Sequence, residues 1–302
     1  MSILSIQNLI KRYATAATNA VDGISFNVNA GELFCLLGVN GAGKSTTINI
    51  ICTLVQKTSG NVMLDGIALG QDDNAIRQKI GVVFQGNVLD NVLTAEENVI
   101  SRAALYGLSA SNAKKRLTAL AERLSMTSFL KQPYGKLSGG QRRKCDIARA
   151  LIASPSILFL DEPTTGLDPQ SRIELWETIE DIRKESRMTV FLTTHYMEET
   201  EHADRVAIMD NGKILCIDTP QRLKTQYSTD ILRLVVKGGA NAALEQHLQN
   251  YDLIADTYIV KLKNGIEAID LLSKVKPYLD SFEMEKGSMD SVFLNVVGRK
   301  AE

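Results

Sequence analysis

The chain has 302 residues, 34 lysines and arginines against 35 aspartates and glutamates, and 44% hydrophobic residues. Charges that nearly cancel exclude a global field drawing nucleic acid or an anionic membrane surface. No apolar stretch nears the ~18 residues of a membrane span, and no charged segment with an apolar secretory core opens the sequence. These features predict a soluble protein that reaches any membrane through a partner. The length suits one large domain and a smaller one. Cys35, Cys52, Cys145 and Cys216 are scattered without a C-x-x-C pair, which predicts reduced, buried thiols.

In chain order, the first signal is the apolar run Glu32–Leu37, which suits a buried strand, followed by a helical pattern from Thr47 to Cys52. Between them lie Gly38, Val39, Asn40, Gly41, Ala42, Gly43, Lys44, Ser45 and Thr46. Glycines let successive N–H groups curl inward toward phosphate oxygens, and the helix start adds unpaired donors and a positive dipole end. Lys44 is spaced to reach terminal phosphates and the Ser45 hydroxyl to ligate Mg²⁺. This context predicts that the loop binds a nucleoside triphosphate. Gly60–Gly66 then reads as a hairpin strand between turn residues.

From about residue 92 to 153 the pattern turns helical. Thr94 and Glu97 predict a capping box opening a helix through Tyr106. Ser111 is the expected cap of the next helix, with Leu117, Leu120, Ala121 and Leu124 on one face. A third helix is expected from Gln141 to Ala153. Strand signals return at Ile157–Leu160, Thr189–Leu192 and Arg205–Met209, with a helix carrying Ile173, Leu175, Trp176, Ile179 and Ile182 between the first two. Strands alternating with helices predict a mostly parallel sheet covered on both faces, with the helical block inserted into this α/β core. After Gln226, strands at Ile231–Val236 and Tyr258–Leu262 alternate with helices at Ala240–Leu248 and Ile266–Val275. That order predicts a small α+β unit, ferredoxin-like.

The strand Ile157–Leu160 ends in Asp161 and Glu162, where ligands of open parallel sheets bind. Adjacent strand residues point to opposite sides, so the two acids take different tasks. Asp161 is the candidate Mg²⁺ holder beside Ser45, and Glu162 the candidate base for the attacking water. Gln85 and His195 end two other strands; Gln85 is suited to touch Mg²⁺ and water, His195 to hold the γ-phosphate or the water. A metal site built from His195, His202 and Cys216 lacks recognisable ligand spacing. Leu137-Ser138-Gly139-Gly140-Gln141 is a second glycine-rich helix start, readable as a simple cap or as a second anion cradle closing on a partner's nucleotide.

Taken in order, these motifs resemble the ATP-binding subunit of ABC transporters over about residues 3 to 225. The resemblance implies a P-loop ATPase core at 1–225, a helical subdomain at about 86–154 within it, and a separate α+β domain at 226–302. It implies a homodimer or a paired ATPase subunit, packed head to tail around two ATP molecules with Mg²⁺. Ser138, Gly139, Gly140 and Gln141 of one chain would complete the site of the other. It also implies that Tyr13 stacks on adenine and that Asp168, in Gly166-Leu167-Asp168, links the two sites. The chain would work at the cytoplasmic face of the membrane, held there by integral membrane subunits docked around Gly86–Tyr106, where Val88, Leu89, Val92 and Leu93 offer apolar contacts or serve as core.

Thr193–Glu199 and the ending Met289–Arg299 resemble the antibiotic-exporter branch typified by daunorubicin-resistance ATPases. Val39 stands where that branch often has Pro, and Gln141 where it often has Met; neither change removes a phosphate-facing group. Sodium and lipid exporters share these features, so export of an unspecified substrate is the expectation. An importer, or a non-transport member acting on nucleic acid or the ribosome, is the alternative. The chain shows neither the inserted coiled coils nor the zinc-binding cysteines of DNA-acting members, and no basic patch.

Overall fold

Apolar runs of five or six residues between turn signals are too short for helices and fit strands buried on both faces. A computed structural model of the chain describes residues 2–86, 88–236, 241–262 and 265–298. The chain opens with β1 (Ser2–Lys11) and β2 (Val21–Asn29), and β3 (Leu33–Leu37) then feeds α1 (Lys44–Ile51). Next come β4 (Ser59–Leu64), β5 (Ile67–Ala68), α2 (Asp73–Lys79) and β6 (Ile80–Val83). Three helices, α3 (Ala95–Leu105), α4 (Ala110–Arg123) and α5 (Gly139–Leu151), interrupt the sheet before β7 (Ile157–Asp161). The core resumes with α6 (Pro169–Ser186), β8 (Thr189–Thr194), β9 (Arg205–Asp210) and β10 (Lys213–Asp218).

Six strands form one sheet in the order β10-β9-β3-β8-β7-β6. The pairs β6–β7, β7–β8, β8–β3 and β3–β9 are all parallel. Every residue of β3, β7 and β8 is buried, as a sheet covered on both faces requires. A second sheet, β2-β1-β4-β5, is antiparallel. The two share one core in which Phe26 of β2 stacks on Phe34 of β3 at 5.1 Å between ring centroids. Phe34 meets Phe191 at 5.5 Å and Phe191 meets Phe159 at 5.4 Å, so one aromatic row crosses three parallel strands. Each such pair contributes about 0.5–1.5 kcal/mol beyond its buried area. Ile48, Ile50 and Ile51 of α1 join this core and fix the helix that carries Lys44.

The inserted helices are set by their caps. Thr94 accepts from the Glu97 amide at 3.2 Å while the Glu97 carboxylate accepts from the Thr94 amide at 2.8 Å, completing the expected box. The Thr94 amide and hydroxyl both donate to the Glu97 carboxylate at 2.8 Å and hold it below its ordinary pKa. Thr94→Ala is expected to cost about 1 kcal/mol, read as a lower urea midpoint without a changed slope. The next helix is capped by Ser109, not Ser111: Ser109 Oγ accepts from the Asn112 amide, and Ser111 lies inside α4. Both serines stand next to alanine at the start of the same polar run, so composition does not separate them. α5 begins at Gly139, earlier than the expected Gln141, because Ser138 caps it. Ile173 lies outside the α6 core and is 55% exposed, while Leu175, Trp176, Ile179 and Ile182 are buried as expected.

A division between Ile217 and Asp218 separates the second unit. It falls before the expected boundary at 225/226 because α7 (Pro220–Tyr227) packs against the last helix of the chain. After α7 come β11 (Asp230–Val236), α8 (Ala242–Glu245), β12 (Tyr251–Ile254), β13 (Thr257–Leu262), α9 (Gly265–Val275), β14 (Leu279–Glu285) and α10 (Met289–Gly298). The strand order is β12-β13-β11-β14 with every pair antiparallel. Strand and helix order from β11 to β14 is βαββαβ, the ferredoxin-like arrangement. The expected β-α-β-α order lacked β12 and β14. Ala240, at the start of one expected helix, and Arg299, at the end of the quoted tail, lie outside the described residues.

Candidate active site

Four neighbouring parallel strands, β6, β7, β8 and β3, deliver their carboxyl ends to one edge of the sheet. Gly38 follows β3, Gln85 follows β6, Asp161 ends β7 with Glu162 next, and His195 follows β8. The sheet thereby gathers residues from four distant stretches of sequence.

The loop Gly38–Thr46 wraps into the start of α1, with Gly38 N donating to Thr194 O and Gly212 N to Ala42 O. Gly43 sits at φ 110°, and a Cβ there would lie 2.4 Å from Ala20 O, so glycine is required. Gly43 offers no side-chain cap, which leaves the first amides of α1 to a ligand. Lys44 is 4% exposed; its Nζ donates to Gly38 O at 2.7 Å and Val39 O at 3.2 Å and lies 3.4 Å from Glu162 Oε1.

Asp161 and Glu162 serve separate networks. Asp161 Oδ1 accepts from Ser45 Oγ at 3.3 Å and from Thr193 Oγ1 at 2.5 Å. Ser45 and Asp161 set two oxygen donors of low charge side by side, which fits a hard cation that keeps several waters and leans on phosphates, whereas Gln85 bonds Glu162 instead. Among the described residues no three His, Cys, Asp or Glu side chains converge as a metal cluster.

Glu162 is 5% exposed and left-handed at φ 48°. Its Oε2 accepts from Gln85 Nε2 at 2.9 Å and Thr165 Oγ1 at 3.4 Å. His195 Nδ1 lies 3.2 Å from the same oxygen, close in distance but not aligned as a hydrogen bond. Lys44, Gln85 and His195 therefore all converge on one carboxylate. Thr193 and Thr165 escaped sequence reasoning; a strand-end threonine and a loop threonine carry no spacing that marks them.

Ser138 and Gln141 form a reciprocal capping box at the start of α5. Beside it, Gly139 shares a 260 Å³ cavity with Gln85, Thr165, Gly166 and Leu167 of the same chain. A Cβ on Gly140 would meet Ser171 Oγ at 2.9 Å, so any larger residue there must displace the Ser171 hydroxyl. Asp168 is exposed and caps α6, accepting from the Ser171 amide at 2.9 Å and its hydroxyl at 2.6 Å, and these bonds lower its pKa. Tyr13 is 40% exposed with Lys11 Nζ 4.8 Å from its ring centre. Cys35, Cys52 and Cys145 are buried and Cys216 partly so; burial raises the first three thiols, Cys145 to about 12, which leaves them inert.

The family model described as ABC transporter matches residues 21–165. The linearmycin resistance ATP-binding protein LnrL of Bacillus subtilis (strain 168) is 36% identical over 98% of this chain and 99% of its own length. The chain belongs to the ABC transporter family. The daunorubicin/doxorubicin resistance ATP-binding protein DrrA of Streptomyces peucetius is 33% identical over 99% of this chain and 93% of that protein. The dimeric post-hydrolysis structure of the ATP-binding cassette MJ0796 bound to ADP and Pi aligns with a TM-score of 0.66 and 29% identity. It covers 72% of this chain and 98% of that one. This chain is thus an ABC ATPase, of a family that binds and hydrolyses ATP, and its relatives match the antibiotic-exporter branch read from the motifs.

Proposed function

We propose that this chain pairs with a second ATPase subunit, a copy of itself or a close partner, around two ATP molecules, and powers export through separate membrane subunits. The observation that carries this reading is the convergence of Lys44, Gln85 and His195 on Glu162, at the foot of an uncapped helix start. Incoming phosphate oxygens would replace the Gly38 and Val39 carbonyls as acceptors for Lys44. The free amides of α1 would bind the same phosphates, and Tyr13 would stack on the base. Ser45, Gln85 and Asp161 would hold Mg²⁺, whose charge, when bound, offsets that of the β- and γ-phosphates.

Glu162 then accepts a proton from the attacking water, which Gln85 and His195 hold in line. Ser138, Gly139, Gly140 and Gln141 cover the partner's γ-phosphate, and Asp168, beside that motif, joins the two sites. MJ0796, dimeric with ADP and Pi, supports the paired arrangement. The resistance names of LnrL and DrrA support export. Among the described residues no helix is long and apolar enough to cross a membrane. Membrane subunits would hold the chain at the cytoplasmic face by docking over Val88, Val92 and Leu93, which are 51%, 83% and 37% exposed.

Sedimentation of the purified chain with and without Mg-ATP tests the pairing. ATP-dependent doubling of mass is expected, and a monomer that hydrolyses ATP at the full rate would contradict it. EDTA is expected to abolish turnover and added Mg²⁺ to restore it; EDTA-insensitive hydrolysis would remove Ser45 and Asp161 from a metal role. Co-purification of the tagged chain from detergent extracts is expected to bring down an integral membrane protein.

A further inference from the structure

The helix that begins at Ser138 also grips the catalytic residues of its own chain. Arg143, a little over one turn along α5, is 7% exposed. Its Nη2 donates to Glu162 O at 2.9 Å, its Nε to Pro163 O at 2.5 Å and its Nη1 to Phe84 O at 2.6 Å. Phe84 immediately precedes Gln85, so one guanidinium holds the backbone beneath both residues whose side chains meet at 2.9 Å.

Burying a guanidinium is costly, and burial does pull the Arg143 pKa down, with Asp146 opposing. Helix packing alone calls for an apolar side chain here. The cost is offset at a place with a specific need: Glu162 is a non-glycine residue held at φ 48°, a left-handed conformation disfavoured for residues with a Cβ. Its amide is fixed by Thr193 O at 3.0 Å and its carbonyl by Arg143. Only a rigid fork of donors spans three carbonyls on two loops; lysine, a point donor, does not.

Arg149 supplies an internal comparison. It lies on the same helix, is also 7% exposed, and donates through Nη2 to Val82 O at 2.6 Å. Val82 belongs to the body of β6 and is already held by the sheet, so Arg149 braces the helix without touching a catalytic loop.

We propose that Arg143 is a positioning residue that ties the Ser138 helix to Glu162 and Gln85 of the same chain. Resting on the paired-site reading above, this makes α5 serve two nucleotides: its tip covers the partner's ATP and its side sets the base at its own. Movement of the tip on closure would be carried by one rigid helix to the other site.

The test uses the purified full chain and its Arg143→Gln, Arg143→Lys and Arg149→Gln variants, comparing ATP affinity by a fluorescent ATP analogue, kcat, KM and thermal midpoint. Arg143→Gln is expected to lower kcat by about 10²-fold, the scale of an ångström-level misplacement at a catalytic group. Its ATP affinity and KM should stay within about threefold, since no ground-state contact is removed. Arg143→Lys, which keeps the charge and one donor, should fall between, and it carries the test if the glutamine variant does not fold. Arg149→Gln should lower the thermal midpoint with turnover per folded chain unchanged. Wild-type kcat in Arg143→Lys and Arg143→Gln, or equal loss of turnover in Arg149→Gln, would overturn the proposal. Failure of the unmodified chain to hydrolyse ATP or to pair would instead count against the paired-site reading itself.

Discussion

Replacing Glu162 by glutamine is expected to leave ATP binding intact, to lower steady-state hydrolysis by about 10²–10⁴-fold, and to trap an ATP-bound pair of chains. The buried carboxylate accepts from Gln85 and Thr165 and lies near His195, so the atom poised to take a proton is Oε2. Glutamine has the same shape but one acceptor oxygen, and its amide nitrogen has no basicity at neutral pH. The change also removes the negative partner 3.4 Å from Lys44, which frees the ammonium for phosphate oxygens rather than weakening its grip. Binding and chemistry should therefore separate: affinity for a fluorescent ATP analogue stays within about threefold while kcat collapses. Size-exclusion chromatography with Mg-ATP should show a lasting dimer that the unmodified chain forms only transiently. Hydrolysis at the unmodified rate would remove Glu162 from its role and return the search to His195.

The residues of the candidate site were legible because they sit where local pattern is strongest. Gly38–Thr46 runs from a fully buried strand into the first turn of a helix, and Asp161, Glu162, Gln85 and His195 each lie at the end of a short apolar run. What sequence did not show is which strands neighbour one another. The order β3-β8-β7-β6 brings together residues as far apart as Lys44 and His195, and no local signal encodes that pairing. Arg143 was hidden for a related reason: within Arg142-Arg143-Lys144 it reads as part of a solvated basic run, and only its three carbonyl partners set it apart. In the second unit, β12 and β14 are mostly exposed along their length. Strands without a buried face lose the period-two pattern, and pairing with β13 and β11 alone defines them.

Ser138→Arg is expected to spare nucleotide binding to a single chain, abolish ATP-dependent pairing, and lower hydrolysis by about 10²-fold or more. The substitution acts in two ways that need separating. Ser138 Oγ accepts from the Gln141 amide at 3.3 Å, and an arginine cannot accept that bond, so the α5 cap is lost at about 1 kcal/mol. Ser138→Ala loses the same cap without adding bulk. If the motif is only a helix start, the two variants should share a lowered thermal midpoint and hydrolyse ATP alike. If it closes on a partner's γ-phosphate, the alanine variant keeps pairing with reduced turnover, because the neighbouring amides of Gly139 and Gly140 remain. The arginine variant fails to pair, because its side chain fills the space where two chains must meet. Titrating each with the ATP analogue should give affinities within about threefold of the unmodified chain, since neither change touches Lys44 or the α1 amides. Full hydrolysis by Ser138→Arg would show that one chain alone completes the chemistry.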